Sequence, residues 1–135
     1  MPEWWCSLLY QEKNRWPKTR PSWIEPKRPG IGTYDVWSLD LERGTETPVT
    51  SEPETEVYAV WLPGGMSVAY SAVRASSRAP QLFRKDLATG REEELLPDGG
   101  FQIAQDISPD GKSLVYIEGN EHGWFDVWAL PLSGG

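Results

Sequence analysis

The chain repeats itself, and no other feature restricts its possible folds as much. A shift of 46 positions sets WLPGGMSVAY (61–70) on ISPDGKSLVY (107–116). Pro63 then meets Pro109, Gly65 meets Gly111, Ser67 meets Ser113 and Tyr70 meets Tyr116. The same shift sets DVWSLDLERG (35–44) on QLFRKDLATG (81–90), and a shift of 45 carries that block onto DVWALPLSGG (126–135). Trp37, Phe83 and Trp128 share one column; Leu41, Leu87 and Leu132 share a second; Gly44, Gly90 and Gly135 share a third. A fixed period of this size marks an architecture of stacked, similar units. A weaker earlier copy, WPKTRPSWI (16–24), lies 45 or 46 residues before WLPGGMSVA and matches at Trp16 and Pro17. Residues 1–30 are therefore read as a degenerate first unit or an N-terminal arm, and residues 31–135 as the repeat proper.

Within each unit the pattern is that of strands. VYAVWL (57–62), SVAYSAV (67–73), PQLFRKDL (80–87) and the weaker REEELLP (91–97) form the first full set. QIAQDI (102–107), SLVYIEG (113–119) and FDVWALPL (125–132) repeat the first three members, and no fourth follows. The glutamates of the fourth segment suit an edge, where charge discourages pairing with foreign strands. Turn chemistry separates the segments. Pro109 presets φ, Asp110 can bond its own backbone, and Gly111 reaches positive φ without steric penalty. No part of the repeat has helical periodicity. The chain holds 13 glycines, 12 prolines and 8 tryptophans, and 39% of it is hydrophobic. So many breakers exclude a helix bundle, and so much apolar content excludes wholesale disorder. Four short strands every 45 or so residues predict an all-β fold of two to three four-stranded β-propeller blades, an incomplete ring. The Trp37, Phe83 and Trp128 column is expected to fill the gaps between blades, where one aromatic buries about 150–250 Å².

At these residues the chain resembles the TolB-type, or PD-type, bacterial β-propeller repeat. That pattern is S-P-D-G, an alternating apolar strand ending in an aromatic, then Asp-apolar-aromatic, then D-L-x-x-G. Ser108, Pro109, Asp110, Gly111, Tyr116, Asp126, Val127 and Trp128 match, as do Asp35-Val36-Trp37, Asp40-Leu41, Gly44, Asp86-Leu87 and Gly90. Leu62, Gly64 and Gly65 depart from it. In larger bacterial proteins similar propellers accompany kinase, winged-helix or peptidase domains, and they occur in TolB itself. The resemblance therefore implies binding, gating or assembly, with catalysis in a different domain.

The residues offer little chemistry to set against that. Gly65-Met66-Ser67-Val68-Ala69 approximates a nucleophile elbow, but a strand follows it and His122 is the sole histidine; a hairpin turn accounts for it. Gly111-Lys112-Ser113 ends like a phosphate loop, but Asp106 stands at the required first glycine. His122 with Glu118, Glu121 and Asp126 falls short of a zinc set. No D-x-D-x-D-G calcium loop occurs. The net charge of −7 opposes a phosphate-backbone binder, although Trp4, Trp5, Trp16 and Trp23 lie among lysines and arginines. One cysteine, Cys6, excludes an intrachain disulfide and leaves cytoplasm and periplasm both open. No apolar run is long enough for a membrane helix, and no secretory signal is read at the start.

The expectation is a non-enzymatic interaction module without cofactor or metal. It binds protein or peptide partners and assembles through blade–blade contacts, either with itself as a ring-closing homo-oligomer or with the rest of a longer propeller. WCSLLYQ (5–11) is a candidate strand to complete the C-terminal blade, in the same chain or a neighbouring one. Two other readings stay open: an accessory domain of a kinase- or peptidase-linked protein, and a small-ligand or cation binder whose channel is lined by Gln102, Gln105 and Asp106.

Overall fold

A computed structural model describes residues 22–27, 33–97 and 99–132. Ten strands run through them: β1 (Ser22–Lys27), β2 (Asp35–Asp40), β3 (Thr45–Pro48), β4 (Thr55–Trp61), β5 (Ser67–Val73), β6 (Gln81–Asp86), β7 (Glu92–Glu94), β8 (Phe101–Ile107), β9 (Ser113–Gly119) and β10 (Phe125–Pro131). No helix occurs among the described residues. The strands form three antiparallel sheets in the orders β1-β2-β3, β4-β5-β6-β7 and β8-β9-β10. Each strand pairs with its sequence neighbour because short turns join them. The expected strands fall within a few residues of those found, and 67–73 and 113–119 coincide with β5 and β9.

The turns carry the sequence signals that placed them. Gly111 has φ +73° and donates to the Ser108 carbonyl at 2.7 Å. Asp110 Oδ1 accepts from the Ser108 hydroxyl at 2.6 Å and from the Lys112 amide at 3.1 Å. Those bonds hold the Asp110 carboxyl below its usual range, the Ser108 hydroxyl acting most strongly. In the departing copy Gly64 takes φ +89°, which a side chain rarely adopts, so glycine there replaces aspartate for a conformational reason. Asp86 closes the β6–β7 turn by accepting from the Ala88 and Thr89 amides, as Asp40 does from Glu42 and Arg43.

Side-chain alternation divides the middle sheet into two buried faces. Val68, Tyr70 and Ala72 of β5, with Phe83 and Ala59, pack on Val36 and Val49 of the first sheet region. Ala69 and Leu82, with Val60 and Leu62, pack on Ala104, Ile107, Leu114 and Tyr116 of the C-terminal sheet. One sheet therefore lies between two others, and β5 is buried along nearly its whole length. Each inner strand also carries an irregularity at the same place in the repeat, between Val57 and Val60 in β4 and between Ala104 and Asp106 in β8. Tyr58 in the first has φ +55°, the backbone bend of a bulge. Periodicity alone gave no sign of these bulges, because one extra residue leaves the apolar pattern on either side intact.

Candidate interaction surface

The two sheet-to-sheet junctions are built alike, and the likeness defines a site at the end of the stack. At the first junction the Glu56 amide donates to the Tyr34 carbonyl at 2.7 Å. At the second, 46 residues on in both partners, the Gln102 amide donates to the Pro80 carbonyl at 2.7 Å. The amide of the following core residue is also satisfied by an oxygen from a side chain. Thr50 Oγ1 accepts from Val36 at 2.9 Å, and Gln102 Oε1 accepts from Leu82 at 3.3 Å. A further bond at the second junction runs from the Ala104 amide to Ser71 Oγ at 2.9 Å. The buried amides at each junction are thus paired, as burial demands.

On the C-terminal sheet the counterparts of Pro80 and Leu82 are Phe125 and Val127. Leu82 is 0% exposed; Val127 is 72% exposed. Register puts Val127 beside Ile117 and Ala129 beside Val115, so these four share the face turned away from the middle sheet. Phe101 and Phe125 sit at its end, ring centroids 5.3 Å apart, over Gly119. A Cβ on Gly119 would lie 3.2 Å from Phe101 Cβ and 3.3 Å from Phe125 Cε1, so a side chain there would push the rings apart. The rings line an open recess of about 420 Å³ with Gly119, Asn120, Glu121 and Gly123, and Trp124 next to it is exposed.

The sequence-derived candidates are distributed over this frame. Phe83 is buried at the first junction, stacked on Tyr70 at 6.1 Å with Arg74 4.8 Å above its ring. Trp37 is half-buried, and Trp128 is 52% exposed, so the shared column is covered to very different extents. Pro109, Asp110 and Gly111 form the β8–β9 turn. Gln102 is fully buried, bonded to Leu82 and, through Nε2 at 3.2 Å, to Glu118. Gln105 is exposed at the bulge, and the carboxylate of half-buried Asp106 accepts from the Ile107 amide. His122 is exposed in the β9–β10 loop, 3.7 Å from Glu121. Among the described residues no group of three or more metal-ligating side chains occurs, and no helix is long and apolar enough to cross a membrane. WCSLLYQ lies outside the described residues.

One cluster was missed by sequence reasoning. Arg74, after β5, bridges Glu56 of β4 and Glu92 of β7, the latter at 2.7 Å, with Glu54 at 3.6 Å. The Tyr70 hydroxyl also donates to Glu92. Burial pushes the Glu56 carboxyl up despite Arg74, and burial with Glu92 beside it pushes the Tyr70 hydroxyl well above its usual range. The signal was present only in part: Glu56 and Gln102 align at the 46-residue shift, but Glu56 follows the polar Glu54-Thr55, and only Gln102 lies between apolar residues.

No protein-family model matches the chain. Solved structures do. The chain is similar to a putative TolB from Agrobacterium tumefaciens, with a TM-score of 0.66 and 22% identity over 82% of this chain and 38% of that one. It is also similar to TolB from Acinetobacter baumannii, with a TM-score of 0.60 and 21% identity over 76% of this chain and 25% of that one. The fold is that of a TolB-type β-propeller. The described sheets are propeller blades of that type, and the chain spans well under half the length of either structure.

Proposed function

We propose that this chain is a non-catalytic protein-interaction module whose C-terminal blade docks a further blade of the same repeat. The observation that carries this reading is the contrast between Leu82 and Val127, equivalent positions at 0% and 72% exposure. The chain uses this face as a docking surface twice already, between its first and middle blades at Val36 and between its middle and C-terminal blades at Leu82. It then presents the same face again, with Val115, Ile117, Val127 and Ala129 turned outward. Apolar surface of this kind gains about 25 cal/mol per Å² on burial, and exposed apolar patches mark interaction sites.

The docking blade comes from a second copy that extends the stack or from the remainder of a longer propeller. The shares of 38% and 25% in the TolB structures favour considering the second source. Light scattering on the purified chain over a concentration series tests the reading, with Val127→Lys as the surface variant. Self-association beyond a dimer, weakened by Val127→Lys, supports stacking of copies. Recovery of the chain from its native source as part of a longer polypeptide supports the second source. A native chain of this length that stays monomeric at every concentration overturns the reading.

A further inference from the structure

The two junctions share a backbone plan and differ in charge. In each, an amide of the later blade donates to a carbonyl of the earlier one at 2.7 Å, from Glu56 to Tyr34 and from Gln102 to Pro80. The 46-residue shift sets Asp35 on Gln81, Thr50 on Leu96, Glu56 on Gln102 and Arg74 on Asn120. Asp35, Glu56 and Arg74 therefore all have neutral counterparts at the second junction.

Glu56 is the buried centre of the charged set. It pairs in register with Ala72, on the face turned to the first blade, and its side chain is fully enclosed. Arg74, after β5, holds its Oε1. That cation is shared, since it also holds Glu92 of β7 at 2.7 Å and lies 3.6 Å from Glu54, ahead of β4. Tyr70 of β5 directs its hydroxyl to Glu92. From the first blade, buried Asp35 of β2 opposes ionisation of Glu56, and the Thr50 hydroxyl favours it. β1 adds Glu25 and Lys27, in register with Trp37 and Asp35. The elements around Glu56 thus carry Glu25, Asp35, Glu54 and Glu92 besides it, against Arg74 and Lys27. Among the described residues nothing hydrogen-bonds the buried Glu56 Oε2.

An enclosed carboxylate oxygen without a donor is costly, and a like charge across the junction adds to the cost. A proton on Oε2 removes both penalties. Burial accordingly raises the Glu56 carboxyl, although Arg74 and Thr50 oppose the rise, and Asp35 adds to it. Asp35 is also tied to the backbone that closes the junction. The Tyr34 carbonyl before it accepts from Glu56, and the Val36 amide after it donates to Thr50 Oγ1 at 2.9 Å. Repulsion between the two carboxylates therefore acts on the bonds that hold the blades together.

We propose that the first junction is a proton-operated joint: protonated Glu56 holds the first blade on the middle blade, and loss of that proton loosens the contact while the second junction stays closed. The sign follows from where the proton binds. Glu56 binds it more tightly in the closed joint than in an open one, where water reaches the carboxyl. Closure is therefore fullest below the open-state value and weakens as pH rises through the closed-state value. The opening is local, and the element it biases is the Glu56–Tyr34 bond with the residues beside it. The joint works in this way whatever covers the end of the stack, so it stands or falls apart from the blade-docking reading.

Amide hydrogen exchange of the full chain, followed residue by residue by NMR, compares both joints in one sample. Protection of the Glu56 amide, corrected for the intrinsic pH dependence of exchange, is expected to fall between about pH 5 and about pH 8, by up to about tenfold per pH unit where one proton is lost. Protection of the Gln102 amide is expected to stay level. Glu56→Gln is expected to abolish the fall at position 56 and to keep the protection seen in mild acid at every pH. Asp35→Asn removes the opposing charge and leaves Glu56 in place, and it is expected to shrink the fall. An equal fall at Gln102, level protection at Glu56 in the wild type, or a fall that persists in Glu56→Gln overturns the joint. If Glu56→Gln does not fold, Asp35→Asn decides, and a fall of unchanged size in that variant overturns the joint as well.

Discussion

The middle and C-terminal blades are two copies of one plan with opposite surroundings. β5 and β6 of the middle blade are enclosed by neighbours on both faces, whereas β9 is covered on one face and β10 is exposed over most of its length. Their sequences differ less than their environments do. Tyr70 and Tyr116 are both buried, and Ser67 and Ser113 both open the second strand after a proline-glycine turn. The apolar character of the repeat is therefore not a record of what is buried in a single chain. It records the face that each blade of the repeat carries, and in the C-terminal blade part of that face is exposed.

The sharpest way to break this comparison is to truncate the same position in both blades. Leu82→Ala removes a fully buried side chain between two sheets and is expected to cost about 2–5 kcal/mol. Val127→Ala, in dilute solution, is expected to cost less than about 0.5 kcal/mol. Urea denaturation followed by tryptophan fluorescence measures both. Equal losses would mean that the outer face is covered in the isolated chain, and the contrast between blades would vanish.

The Arg74 cluster sharpens the comparison from the polar side. The middle blade buries a carboxylate at Glu56 where the C-terminal blade buries the neutral Gln102, and both side chains are fully enclosed. Arg74→Ala leaves Glu56 without its cation and is expected to cost about 3 kcal/mol at neutral pH, the range for breaking a buried pair. Glu56→Gln copies the solution already used 46 residues later. Because burial raises the Glu56 pKa in the folded state, its contribution to stability is present below the unfolded value and is lost as pH rises through the folded value. Glu56→Gln is therefore expected to raise the melting temperature at pH 7 and to flatten its dependence on pH from the mildly acidic range upward. Asp86 and Asp110 act in the opposite sense. Their carboxyls are held low in the folded state, so the stability they add is lost as the solution becomes more acidic than their folded values. A thermal-melt series of wild type and Glu56→Gln against pH separates the two, and an unchanged profile in the variant would remove Glu56 from the account.

Most of the blade architecture was legible in the sequence because turns and strands depend on local residue types. Pro109-Asp110-Gly111, Gly44 and Gly90 specify backbone angles directly, and alternation over 67–73 and 113–119 specifies which faces are apolar. The junctions were less legible. Gln102 read as a channel residue because a polar side chain on an inner strand suggests solvent, yet it is buried and satisfies the Leu82 amide of the neighbouring blade. That partner is 20 residues away in sequence, and no local pattern encodes the pairing. The Arg74 cluster was hidden likewise, since its members come from β4, β7 and the loop after β5 and meet only once the sheet has formed. Trp128 was expected to fill a gap between blades as Phe83 does. Trp128 is instead 52% exposed, although register pairs it with buried Tyr116.

The smallest expected effect concerns the turns, where the two blades ought not to differ. Gly65 and Gly111 occupy equivalent places with φ of +67° and +73°, and each donates its amide to the carbonyl three residues before it, at 3.0 and 2.7 Å. Alanine at either site is forced into the left-handed region at about 1–2 kcal/mol. Gly65→Ala and Gly111→Ala are thus expected to destabilise by similar amounts, measured by urea denaturation, although one lies in the enclosed blade and the other in the half-covered one. The β8–β9 turn has side-chain bonds from Asp110 that Gly64 cannot supply, so it is the better braced of the two. If Gly111→Ala proved much milder than Gly65→Ala, the end blade would be yielding locally to the strain. Its turns, and not only its face, would then depend on the neighbour that covers it.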